Sequence, residues 1–137
     1  MIVGRKKKHP DPEYRLRIFP YTDERTRTAG TAVVVETVKE FVSFSYEVVL
    51  EDHLDGQTVE LKILGLHAPV SVMPGVGPAR GHRFYEHLSG RRTFVVTKQN
   101  GERNEFACTI GRRTVELHES PEEPFILFST DPISLTL

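Results

Sequence analysis

Cysteine is almost absent. Cys108 is the only one in 137 residues, so no disulfide can form within the chain. A reducing compartment, the cytoplasm, is the simplest expectation. Long apolar runs are missing too: none approaches the roughly 20 residues of a membrane-spanning helix. The opening stretch MIVGRKKKHPDPEY holds a basic run with no apolar segment behind it, which argues against a secretory signal. Net charge is also small. Eighteen Lys and Arg face 19 Asp and Glu, for a formal charge of −1 and a pI near 6.6. No global field recruits nucleic acid or an acidic membrane surface.

The familiar motifs of chemistry are absent as well. The stretch PGVGPARG matches neither G-x-G-x-x-G nor G-x-x-x-x-G-K-[ST], so it reads as a structural crossover rather than a phosphate loop. There is no H-E-x-x-H and no cysteine pair, hence no metal site of the usual zinc pattern. EDHLDG lacks the spaced oxygens and closing Glu of an EF-hand loop and reads as a polar turn. Ser71, Ser89 and Ser120 have no G-x-S-x-G context. Cys108 alternates with Phe106 and Ile110, which places it inward as an inert thiol. Six histidines remain: His9, His53, His67, His82, His87 and His118. His82 and His87 are five apart, about 140° around a helix, so they would not chelate one ion. Structural or solvent-facing histidines are expected, with no cofactor.

What is present is β-pattern. Tyr14, Leu16 and Ile18 alternate with Arg15 and Arg17, the signature of a half-buried strand. TAVVVETV (residues 31–38) is β-branched and runs on into FVSFSYEVVLE (residues 41–51). In that second part Val42, Phe44, Tyr46, Val48 and Leu50 form one apolar face. Either a bulge near Lys39-Glu40 or a tight turn divides the stretch. Asp52 to Gly56 signals a turn, and Val59, Leu61 and Ile63 return as the partner strand. RTFVVTK and ERNEFACTI form a second hairpin about Asn100-Gly101, which supplies the positive φ a tight turn needs. GRRTVELHE and PFILFST add two more strands.

One helix is expected. Pro78 suits a first helical position, Phe84 and Leu88 share a face, and Gly90 reads as the stop. The fold class is therefore all-β with one short helix: an antiparallel sandwich or partly open barrel of about seven or eight strands. Residues 1–12 read as a flexible basic arm and 13–137 as a single β-rich domain. Strands, a short helix, then a hairpin is also the order of an OB-type barrel, an analogy of order and not a motif match.

Charge is segregated along the chain. The net is +4 over residues 1–30, −5 over 31–62, +4 over 63–118 and −4 over 119–137. Oppositely charged strands are expected to neighbour one another in the sheet.

These features point to a non-catalytic binding or interaction module for an unknown protein or small ligand, with no membrane partner. Its ligand residues are expected among Arg80, His82, Arg83, Arg91 and Arg92, where cations lie near the glycine-rich crossover. One alternative is a weak single-stranded nucleic-acid binder with an OB-like barrel. Tyr85 would then stack on bases while Arg103, Arg112 and Arg113 track phosphates. The other is an uncharacterised enzyme with a site near residues 67–92.

Overall fold

A computed structural model describes residues 11–42, 45–68 and 75–135 of the protein. Period-two alternation builds nine strands: β1 (Tyr14–Asp23), β2 (Thr28–Phe41), β3 (Glu47–Asp55), β4 (Thr58–His67), β5 (Gly77–Tyr85), β6 (Gly90–Thr97), β7 (Arg103–Ile110), β8 (Val115–Glu119) and β9 (Ile126–Ser129). They form one sheet in the order β8-β7-β6-β4-β3-β5-β2-β1-β9. The sheet curls into a half-barrel, and contacts near its two edges draw them together. The Asn104 side-chain carbonyl accepts from the Phe125 amide at 2.9 Å. The Phe106 and Phe128 rings meet at 5.4 Å, and Lys98 reaches Glu13 at 2.6 Å.

Alternation decides what fills the concave side. Leu16 and Ile18 of β1, Val33 and Val35 of β2, Val59, Leu61 and Ile63 of β4, and Phe94 and Val96 of β6 are buried there together. Phe106, Cys108 and Ile110 of β7 join them, as their spacing predicts. β2 is covered on its convex side as well. Phe19, Ala32 and Val34 form a second, smaller cluster there, closed by Tyr21 and by Ile133 and Leu135 of the C-terminal segment. A strand apolar on both faces is what the unbroken run TAVVV requires.

The expected hairpins form. β3 and β4 pair antiparallel around Gly56, with Asp55 opposite Thr58. β6 and β7 pair from Gly90–Ile110 to Thr97–Arg103, and Gly101 turns between them at φ 91°. β1 runs through Pro20. β9 pairs only with Tyr14 to Arg17, so Pro20 lies where β1 has no ladder on that side, a place a sheet tolerates proline.

Four expectations need correction. The sheet is mixed and not antiparallel throughout: β4 pairs with β6, and β1 with β9, in parallel. The segment expected to be a helix is strand β5, and the described residues contain nine strands and no helix. Its alternation is masked because two inward positions, Ala79 and Gly81, carry little or no side chain. Gly81 is small for a reason: a Cβ there would collide with the Val48 carbonyl of β3. Phe84 and Leu88 do not share a helical face. Phe84 lies on the convex side against Tyr21, and only Leu88 enters the concave core. Finally, residues 42–50 are not one strand face. β2 slips register against β5 between Glu36 and Glu40, ends at Phe41, and leaves Val42 75% exposed. Tyr46 packs on the core beside buried Val48 and Leu50. Phe44 and most of the basic arm lie outside the described residues.

Candidate functional site

The strand order places β2 between β1 and β5, and this juxtaposition assembles the most charged feature of the convex face. Glu36 follows Ala32 and Val34 on the outward side of β2. Arg15 is its register partner on β1 and Arg80 its partner on β5. Glu36 Oε2 accepts from Arg15 Nη1 at 2.8 Å and from Arg17 Nε at 3.0 Å. Glu36 Oε1 accepts from Arg80 Nε at 2.8 Å. The carboxylate is only 1% exposed. Burial alone would raise its pKa, but hydrogen bonds from Arg80, Arg15 and Arg17 outweigh that and hold it below the ordinary carboxylate value. Arg17 also donates from Nη1 to the Asp131 carbonyl at 3.1 Å, which ties the C-terminal segment to the cluster.

His82 lies one row away, opposite Val34. Burial lowers its pKa, Arg83 lowers it further, and Glu47 opposes them weakly. The imidazole is therefore neutral at pH 7 and offers a hydrogen-bonding group rather than a charge.

The concave face of β5 carries a different arrangement. β3 and β5 pair at a single point, Glu47 opposite Arg80, and diverge beyond it. Arg83 spans the resulting gap. Its Nε donates to Asp52 Oδ1 at 2.8 Å and its Nη2 to the Leu50 carbonyl at 2.8 Å, replacing a ladder bond that β5 no longer supplies. Tyr85 donates its hydroxyl to Asp52 Oδ2 at 2.6 Å. Burial pushes the tyrosine pKa far up, and the hydrogen bond to Asp52 adds to it, so the phenol stays protonated and keeps its proton for the bond to Asp52.

At one end of the half-barrel the β5–β6 connection meets the start of β2 and the β7–β8 turn. Between them lies a cavity of about 620 Å³ lined by Ala29, Gly30, Thr31, Glu86, His87, Leu88, Ser89, Gly111, Arg112 and Arg113. Arg112 and Arg113 occupy a short turn closed by a Gly111 amide bond to the Thr114 carbonyl at 2.8 Å. Among the described residues, neither guanidinium has an ion pair or a side-chain hydrogen bond.

The residues singled out from sequence thus separate. Arg80 and His82 face outward beside Glu36, whereas Arg83 and Tyr85 face inward on Asp52. Arg92 donates to the Ser89 and Gly56 carbonyls, each at 3.0 Å, and braces the turns at the cavity end. Arg91 is exposed on β6. Arg103 pairs with Glu105 at 3.2 Å on β7, away from Arg112 and Arg113. Within the stretch 67–92, residues 69–74 lie outside the described residues. Sequence reasoning missed Glu36, Arg15 and Arg17. A carboxylate inside the apolar run TAVVVETV was the available signal, because such a group needs cationic partners from other strands. The segregation of charge is realised here: Glu36 and Asp52 belong to the acidic block, and their arginines come from the basic blocks on either side.

Among the described residues no group of three or more His, Cys, Asp or Glu side chains could hold a metal ion, and no helix is long and apolar enough to cross a membrane. Cys108 is buried, and burial pushes its pKa up to about 11, which suppresses the thiolate. Comparison with protein-family models, curated proteins and solved structures finds no match to this chain.

Proposed function

We propose that this protein is a non-catalytic binding module that takes an anionic group of a small ligand or partner into the cavity between Glu86–Ser89 and Gly111–Arg113. One observation carries the reading: two guanidiniums with no acidic partner among the described residues stand at the rim of a cavity of about 620 Å³. Barrel mouths are common sites of ligand capture. An arginine without a carboxylate keeps its forked donors available for a phosphate or carboxylate. Ser89 and His87 add polar groups, and Leu88 supplies an apolar floor.

The single-stranded nucleic-acid reading has less support. Its stacking residue, Tyr85, is committed to Asp52, and Arg103 is paired on another part of the sheet. A catalytic reading has less still, since no hydrogen bond among the described residues joins Ser89 to His87 as a nucleophile would need.

The test is a comparison of melting temperature in phosphate and in chloride at matched ionic strength, for the native protein and for R112A/R113A. Phosphate should raise the native melting temperature by linkage, and the double variant should lose part of that gain. Equal gains in both proteins would refute the assignment. A steep salt-dependent affinity for oligothymidine would instead favour the nucleic-acid reading.

A further inference from the structure

We infer that the Glu36 cluster is a second, separate oxyanion site, built to hold a phosphate-type group between Arg15 and Arg80 on the convex face. Three guanidiniums surround one carboxylate, so the four side chains carry a surplus of positive charge. Glu36 has two oxygens, and both are taken: Oε2 by Arg15 and Arg17, Oε1 by Arg80. Each guanidinium has five N–H donors. Arg80 uses Nε, and Arg15 uses Nη1. Among the described residues their remaining donors meet no protein acceptor.

Exposure divides the cluster in a telling way. Glu36 is sealed beneath at 1%, whereas the side chains of Arg15 and Arg80 remain 30% and 42% exposed. Both guanidiniums reach the same carboxylate, one on each of its oxygens, from the strands on either side of β2. Glu36 fixes their positions in advance, which lowers the ordering cost of binding. A tetrahedral oxyanion offers several acceptors to two such forks. Charged groups beside the spot include Arg17, partly shielded at 15%, Asp131, whose backbone carbonyl accepts from Arg17, and Glu47, the register neighbour of Arg80. Glu47 also lies 3.8 Å from His67. The ligand class is an inorganic phosphate or a phosphate ester.

The experiment uses the full chain carrying R112A/R113A, so that failure here cannot be confused with failure of the cavity reading. Inorganic phosphate and a phosphoserine peptide are titrated calorimetrically against chloride at matched ionic strength. Phosphate should still bind, and Arg80→Gln or Arg15→Gln should weaken it about tenfold, the loss of one charge-assisted contact. Glu36→Gln should act with the opposite sign: it removes the competing negative charge, binds phosphate more tightly, and regains stability as phosphate rises. Should Glu36→Gln fail to fold, the two arginine variants still decide, because both side chains are partly exposed. Peptide binding tighter than phosphate would point to a phosphoester on a partner, and the reverse to the free ion; either supports the site. No phosphate binding beyond chloride, or binding unchanged by both arginine substitutions, would overturn it.

Discussion

Glu36 and Asp52 are two carboxylates served by arginines three residues apart on one strand, yet they are built on opposite principles. Glu36 lies on the convex face, 1% exposed, and takes three guanidiniums. Asp52 lies on the concave side, its side chain 27% exposed, and takes one guanidinium and one phenol. Burial explains the difference. A sealed carboxylate loses its hydration and must recover that free energy from several charged donors. A carboxylate still in contact with water needs fewer. The convex cluster thereby acquires surplus charge, while the concave one is nearly neutral and mainly bridges two diverging strands.

The sharpest way to break this contrast is truncation. Glu36→Ala leaves three convergent cations and should cost about 3–5 kcal/mol, whereas Asp52→Ala should cost roughly 1–3 kcal/mol, the usual range for a hydrogen-bonded charged group. Urea unfolding of the two variants measures both, and equal losses would erase the distinction. Gly81 sharpens it further. Gly81→Ala pushes against the Val48 carbonyl and should cost roughly 1–3 kcal/mol as an overpacking change. The damage should fall on the Arg83–Asp52 bridge and spare Glu36. Arg83 and Arg80 side-chain resonances should report this, the first shifting and the second holding.

Acid weakens both sites in the same direction. Both carboxylates are held below their ordinary values of 4.5 for Glu36 and 3.8 for Asp52. A lowered folded pKa means the unfolded chain takes up protons first. Their stabilisation is therefore complete above the ordinary value and is lost as pH falls through the folded one. His82 adds a loss at higher pH: its folded value lies below 6.5, so stability begins to fall as pH drops through 6.5. Urea midpoints followed from pH 8 to pH 3 should show the His82 step vanish in His82→Gln and the acid slope flatten in Glu36→Gln. The smallest effect belongs to the unpaired arginines. Arg112→Ala and Arg113→Ala should each stay within about 0.5 kcal/mol of the native protein. A larger loss would mean that they serve the fold and not a ligand.

Local pattern carried much of the fold. The alternation of Val59, Leu61 and Ile63, and of Phe106, Cys108 and Ile110, identified inward faces because a strand has only two sides. Asn100-Gly101 marked a hairpin because few residues accept its backbone angles. The same reasoning failed at residues 77–85. There a close backbone approach had replaced the expected inward side chain with Gly81, so period two was hidden and helix punctuation prevailed. Of the candidate residues, Arg80 and His82 stood out beside the glycine-rich crossover, and Arg112 and Arg113 as arginines flanking the second hairpin. Their partners were not, since a strand's pattern tells which way a side chain points and nothing about which strand lies beside it.

The sequence by itself determined an all-β chain, its main hairpins, a core thiol at Cys108 and the alternation of basic and acidic blocks. Each of these depends on residues close together along the chain. Only the tertiary structure decided that β2 runs between β1 and β5, and hence that arginines 21, 19 and 44 residues away meet on Glu36. Such a meeting depends on strand order, which follows from how the whole sheet curls to bury its apolar face.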